Sequence, residues 1–240
     1  MEANSRATGS EAGDDGEAGG DGDAGRPARK SKSGYHHGDL RNALIHAAIE
    51  LAVEGGPDAV VLRAAARKVG VSATAAYRHF DGQGELLHAV KEHGQQRLVE
   101  RMEAGGREVD GDGPEAAQER VLALGRSYIR FAREEPGLYR TAFCPESPAR
   151  ITFTAEDGLG APELWEARSF EMLIETLDEL VAAGVMSRER RPGAEVSAWA
   201  TVHGLAMLLL DGPLDMLAGE QVHYLIERVL RDILAGLTAP

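Results

Sequence analysis

The chain is short of several things, and each shortage excludes something. Cys144 is its only cysteine, so no internal disulfide can form, and the expectation is a reduced, cytoplasmic setting. No charged-then-apolar signal segment opens it. Aromatic residues make up only 5%, which leaves Ala, Leu and Val to build the interior. That mixture favours helices over a sheet, because Ala and Leu are strong helix formers. No alternating apolar–polar run is long enough to predict a strand. The longest apolar run, Val196–Leu210, contains His203 and Gly204 and falls short of the roughly 20 residues a membrane span needs.

The patterns of catalysis are also missing. There is no HExxH, no GxxxxGK[ST] and no GxSxG. The acidic pair Glu134–Glu135 lies beside a predicted helix stop and reads as a solvated end. His36 and His37 are adjacent and isolated, which does not make a metal site. Cys144 reads as a plain free thiol, with oxidant sensing as the alternative. The expectation is a protein that is not an enzyme and needs no cofactor or metal.

What the chain does have is acid, unevenly spread. The net charge is −13, which looks wrong for a nucleic-acid binder. Partitioned, residues 1–25 carry −6, residues 26–80 carry +5 and residues 81–240 carry −12. At contact distance local sign outweighs the total, because salt screens charges beyond about 8–10 Å.

The basic region ends in Val61–Phe80, which outlines two short helices around a turn. Leu62–Val69 is the first. Gly70 supplies a left-handed corner, and Ser72 can cap the second, Ala73–His79. Ala64, Ala65 and Ala66 are small enough to let the two approach closely. Such a helix-turn-helix lays its second helix in the DNA major groove.

Around it, residues 1–34 have no periodic apolar pattern and read as a disordered tail. Arg26, Arg29, Lys30 and Lys32 within it are either solvated charge or a basic arm beside the DNA. A helix over Asp39–Glu54, capped by Asp39, precedes the motif. Another starts after an Asp81 cap, with Gly94 as a weak point and a break at Gly105–Gly113. Further helices are predicted over 114–134, 138–143, 163–183, 194–210 and 220–237, with Pro136 and Gly137 as a stop and a long loop over 144–162. The fold class is all-α. A three-helix DNA-binding domain (35–93) precedes a larger helical domain for effector binding and dimerisation (94–240).

Residues 38–93 resemble the DNA-binding domain of the tetracycline-repressor (TetR) family. The resemblance rests on Ala47-Ala48, Leu51, Glu54-Gly55-Gly56, Gly70-Val71-Ser72, Ala75-Ala76-Tyr77-Arg78-His79-Phe80 and Leu86-Leu87. Leu124–Ala132, Pro136, Leu138-Tyr139-Arg140, Trp199 and His203-Gly204 resemble a C-terminal domain of one family branch with a Trp-His-Gly signature. The chain departs from the family at Val61, where Thr or Ser usually caps the helix, and at Gln83, where Lys usually touches phosphate.

Thr74 then touches a phosphate or a thymine methyl, Ala73 and Ala75 offer apolar contact to methyls, and Arg78 reaches guanine or phosphate. Ser72 and His79 flank the groove. The resemblance assigns Tyr77 to a backbone phosphate. Gln83 can hydrogen-bond phosphate without releasing a counterion. Arg63 and Lys68 are candidates for the backbone, against simple solvation. Phe80 reads as core. The resemblance implies a repressor released by a small-molecule effector, bound as a homodimer to palindromic double-stranded DNA. Ser197, Ala200, Thr201 and Gly204, small and near helical spacing, make the last two helices the candidate dimer surface; packing of this face inside the monomer is the alternative. Tyr128, Phe131, Phe143, Trp165, Phe170, Trp199 and His203 are the candidate effector contacts, with Met172 and Met207 as further large residues; plain core is the alternative for each. The rival reading of the whole is a helical protein-interaction module with weakened DNA binding.

Overall fold

A computed structural model describes residues 37–145 and 167–239, with the backbone alone for 37–39 and for two short strands at 152–154 and 158–160. The tail with its basic arm, His36 and Trp165 lie outside the described residues. The described part falls in one unit, Tyr35–Pro240, and its scaffold is helical.

Helix α1, His37–Gly55, buries Leu44, Ala47, Ala48 and Ala52. It begins before Asp39, so that residue is inside the first turn and is not the cap expected of it. Gly56, with φ 69°, and a 3-10 turn over Pro57–Ala59 lead to α2, Leu62–Val69. Val61 offers no side-chain cap there; its carbonyl accepts from the Ala64 and Ala65 amides. Gly70 is left-handed (φ 81°), and Ser72 Oγ accepts from the Ala75 amide at 3.2 Å.

Helix α3 is Ala73–Ala76, shorter than the Ala73–His79 expected. The Arg78 and His79 amides reach only three residues back, to the Ala75 and Ala76 carbonyls. This tighter turn swings Phe80 inward. Phe80 is buried, with the Arg41 guanidinium of α1 lying 4.7 Å above its ring.

Helix α4, Gln83–Arg107, does not use Asp81 as a side-chain cap. It starts after Gly82 in extended backbone, and Glu85 reaches back to accept the Asp81 amide at 2.8 Å, as the acidic arm of a capping box does. It runs on through Gly94 and Gly105 and ends at Arg107, inside the break expected over Gly105–Gly113. A side chain at Gly94 would press on Ala142 and the Leu138 carbonyl, and one at Gly105 would collide with Ser127. Both glycines are clearances for neighbouring helices. Through them α4 runs unbroken across residue 93.

Helix α5, Pro114–Glu134, buries residues around most of its circumference. It is packed by α4 and by the remaining helices: α6 (Pro136–Ala142), α7 (Arg168–Ala182), α8 (Ala194–Leu210) and α9 (Glu220–Thr238). Pro136, expected as a stop, opens α6, since proline suits the first turn. The expected loop over 144–162 contains an antiparallel hairpin. Strands β1, Thr152–Thr154, and β2, Gly158–Gly160, pair with Phe153 opposite Leu159. Three-residue strands are too short to show an alternating pattern. The expected start of α7 at Glu163 lies outside the described residues; α8 and α9 match their expected bounds to within a residue.

Candidate DNA interface and effector cavity

The short α3 and its following turn project Thr74, Tyr77 and Arg78 from one side at i, i+3, i+4 spacing. All three are exposed, Tyr77 to 48%. Ala76 and Phe80 take the opposite, buried side. Ala73, Ala75 and His79 are half-buried between the two. Ser72 commits its oxygen to the cap, and Gln83 is exposed at the first residue of α4.

The cations divide into two groups. Arg63, Arg67 and Arg78 are exposed and have no carboxylate partner among the described residues. Lys68 instead bridges back to α1, 2.9 Å from Glu50 and 3.4 Å from Glu54. The Glu50 hydrogen bond leads in raising its pKa above the usual lysine value. Arg41 is held by Glu85 at 2.9 Å; the Asp81 amide first, and then Arg41, draw the Glu85 carboxyl below its usual range.

The second site lies in the body. Between α4, α5, α7, α8 and α9 is a cavity of about 730 Å³, the open space at its mouth included. Of the expected effector contacts, Tyr128, Phe143, Phe170 and Trp199 line it. Phe131 does not: it is fully buried core, packed edge-on to Tyr139. Met172 is also core, while Met207 faces outward, 38% exposed. Cys144 is half-buried and engaged with its surroundings.

His203 stands behind the wall. Its ring stacks on Trp199 with centroids 5.1 Å apart. Its Nδ1 lies 2.9 Å from the Tyr128 hydroxyl and 2.9 Å from the Tyr139 hydroxyl. A tyrosine O–H donates to Nδ1 when the neutral ring carries its proton on Nε2. Burial favours that state, lowering the His203 pKa below its usual value. Burial also raises both phenols, Tyr139 to about 12. Tyr139 had no place among the expected contacts, and neither did Gln95, Ser169 or Val202. Gln95 had a signal: it shares the spacing of the buried Leu98 and Met102, three and seven residues on. Tyr139 comes from another helix, and no local pattern pairs it with His203.

Among the described residues no group of three or more His, Cys, Asp or Glu gathers as a metal site, and no helix is long and apolar enough to cross a membrane.

This arrangement is that of a helix-turn-helix regulator with a helical regulatory body, and comparison with known proteins agrees. Residues 44–90 match the model of bacterial regulatory proteins of the tetR family, and residues 121–233 match the tetracyclin repressor-like C-terminal domain. The chain belongs to the tetracycline-repressor family and is a transcriptional regulator with a DNA-binding helix-turn-helix. The uncharacterized HTH-type transcriptional regulator YobS of Bacillus subtilis (strain 168) is 29% identical over 105 residues, 44% of this chain and 52% of that protein. The chain therefore spans about half the length of this curated relative. A protein of unknown function from Rhodococcus sp. RHA1 superposes with a TM-score of 0.65 at 28% identity, over 85% of this chain and 98% of its own. A bacterial regulatory protein in the tetR family from Rhodococcus RHA1 superposes at 0.54 with 18% identity, over 81% and 96%; this likeness speaks to fold alone.

Proposed function

We propose that the protein is a cytoplasmic, dimeric transcriptional repressor of the Trp-His-Gly branch, which leaves a palindromic operator when a small molecule enters the body cavity. The observation that carries this is the pairing of an exposed Thr74–Tyr77–Arg78 surface with an apolar cavity in the same unit. In this reading residues 35–93 bind DNA and residues 94–240 bind the effector and the second subunit. Tyr77, Arg78 and Gln83 hold phosphates, and Arg63 does so from α2. Thr74, Ala73 and Ala75 meet methyl groups, and Arg78 is also placed for a guanine. Ser72 and His79 border the groove.

Two copies are needed because one four-residue helix offers few contacts; dimers place their recognition helices one helical turn apart, or at multiples of it. Helix α8 has apolar residues on two sides. One side packs on the body, and the other presents Met207 and Leu208, 38% and 43% exposed, beside Ala200, Thr201 and Gly204. A helix with apolar residues on two sides belongs between two partners, and a second copy of α8 and α9 supplies the other.

Coupling follows from α6. Its Gly137 lies against the Ala52 and Val53 carbonyls of α1, and Gly94 of α4 lies against its Ala142. Its Tyr139 meets His203, and its Arg140 binds Asp211 at the end of α8 through two nitrogens. An effector that binds the DNA-competent and incompetent arrangements with different affinity shifts their balance. Selection of genomic duplexes by the purified protein tests the reading. The expected result is enrichment of one palindromic site, bound by two chains in a salt-sensitive complex. A protein that selects no site and shows no salt-sensitive complex is a partner-binding module instead.

A further inference from the structure

We infer that the cavity takes an uncharged, mainly apolar molecule with a single hydrogen-bonding group, read by Gln95 and Ser169. This deepens the proposed effector reading and rests on it.

Charge is the first ground. None of the described lining residues is Asp, Glu, Lys, Arg or His. Three arginines on the flanking helices are already committed. Arg97 and Arg101 of α4 share Glu135, and Arg101 also holds Glu134; Arg126 of α5 grips Glu227 of α9 with two nitrogens. An ionised ligand would lose its hydration and meet no counter-charge among the described residues, which buried charges do not tolerate.

Shape is the second ground. The cavity is bordered by the rings of Phe143, Phe170 and Trp199 and by aliphatic side chains, faces suited to a flat ring system or a single alkyl chain.

The polar handle is the third. Gln95 Nε2 donates to the Ala142 carbonyl at 2.9 Å, and Ser169 Oγ donates to Gln95 Oε1 at 3.4 Å. These bonds orient the amide. They leave it one further N–H, and leave the Ser169 oxygen as an acceptor. A carbonyl or ether on the ligand would take that N–H. Because Gln95 belongs to α4, Ala142 to α6 and Ser169 to α7, the ligand's polar group would settle where three helices meet.

The test is binding of two matched probes to the full-length protein, followed by quenching of tryptophan fluorescence and by thermal shift. The probes are 2-acetylnaphthalene, which is neutral with one carbonyl, and 2-naphthoate, which is anionic. The neutral probe is expected to bind at least about tenfold more tightly. Gln95→Leu should weaken it about fivefold, the scale of one neutral hydrogen bond, while naphthalene binding stays unchanged. Ala198→Phe, which fills the cavity, should abolish both; Val202→Trp serves if that variant does not fold. Equal or tighter binding of 2-naphthoate, or no effect of Gln95→Leu, overturns the ligand class and leaves the cavity reading intact. Failure of both probes to bind, or binding that survives filling of the cavity, overturns the effector site itself.

Discussion

Lys68 and Arg78 belong to the same motif but hold their charge differently. Lys68 is already neutralised by Glu50 and Glu54, whereas Arg78 has no carboxylate among the described residues. Each cation that displaces a counterion from DNA adds about one to the salt slope of binding. Arg78→Gln should therefore lower that slope by about one, and Lys68→Gln should leave it nearly unchanged, as read from titrations at several salt concentrations. Tyr77→Phe removes an exposed hydroxyl, so its melting temperature should stay put while DNA affinity falls about five- to tenfold. His203 gives a pH signature. Burial holds its folded pKa below the usual 6.5, so the unfolded chain binds the proton more readily. The stability from neutral His203 is complete above about pH 6.5 and is lost as pH falls through the lowered folded value. His93 is lowered by burial too and has the same sign. Chemical denaturation at pH 7.5 and 5.5 should show a drop, smaller in His203→Gln and not abolished.

At the scale of elements, glycine proves the most informative residue and the hardest to read. Gly70 was legible as a left-handed corner because Ser72 follows it at capping distance, and Ser72→Ala should destabilise the protein by about 1 kcal/mol. Gly94 and Gly105 were not legible. A helix-interior glycine looks like a weakness until the neighbour that needs its space is known, and Ala142 and Ser127 come from elsewhere in the chain. Asp39 and Asp81 misled for the converse reason: capping chemistry was present, but α1 begins earlier and Glu85 serves Asp81 instead. The interior of α3 was read one turn too long, since no local signal marks its tightening after Ala76. At the cavity, bulk identified Tyr128, Phe143, Phe170 and Trp199. It could not separate Phe131, whose neighbours close over it, and it passed over Gln95. Gly137→Ala offers a direct probe. Its methyl would strike the Ala52 and Val53 carbonyls, and the expected cost is about 1–3 kcal/mol, measured by denaturant melting.

For the whole molecule, the proposed dimer gives the outer side of α8 the task of making two recognition surfaces act together. Leu208→Asp places a charge on an exposed side chain, so the subunit should keep its helicity. The proposed four-helix contact would then be disrupted, giving a monomer by light scattering and an operator affinity at least about a hundredfold lower. Residues 81–240 carry a net −12, so on balance the body opposes DNA while the basic motif attracts it. Orientation on the duplex should therefore sharpen as salt is reduced, while the distance screened shortens as salt is raised.

The seating of α6 has a mechanical consequence. On one flank it meets backbone carbonyls of α1, and on the other its Ala142 sits where α4 has only a hydrogen. Long side chains between helices would absorb a small push by changing rotamer, as suspension absorbs a bump. At Gly137 backbone meets backbone with no such cushion, while beside Gly94 the Leu138 side chain also packs. In the proposed reading, a displacement that His203 or Asp211 imposes on α6 would pass through Gly137 to α1 with little slack, so a ligand would need to move the cavity wall only slightly to be felt at the DNA-reading end.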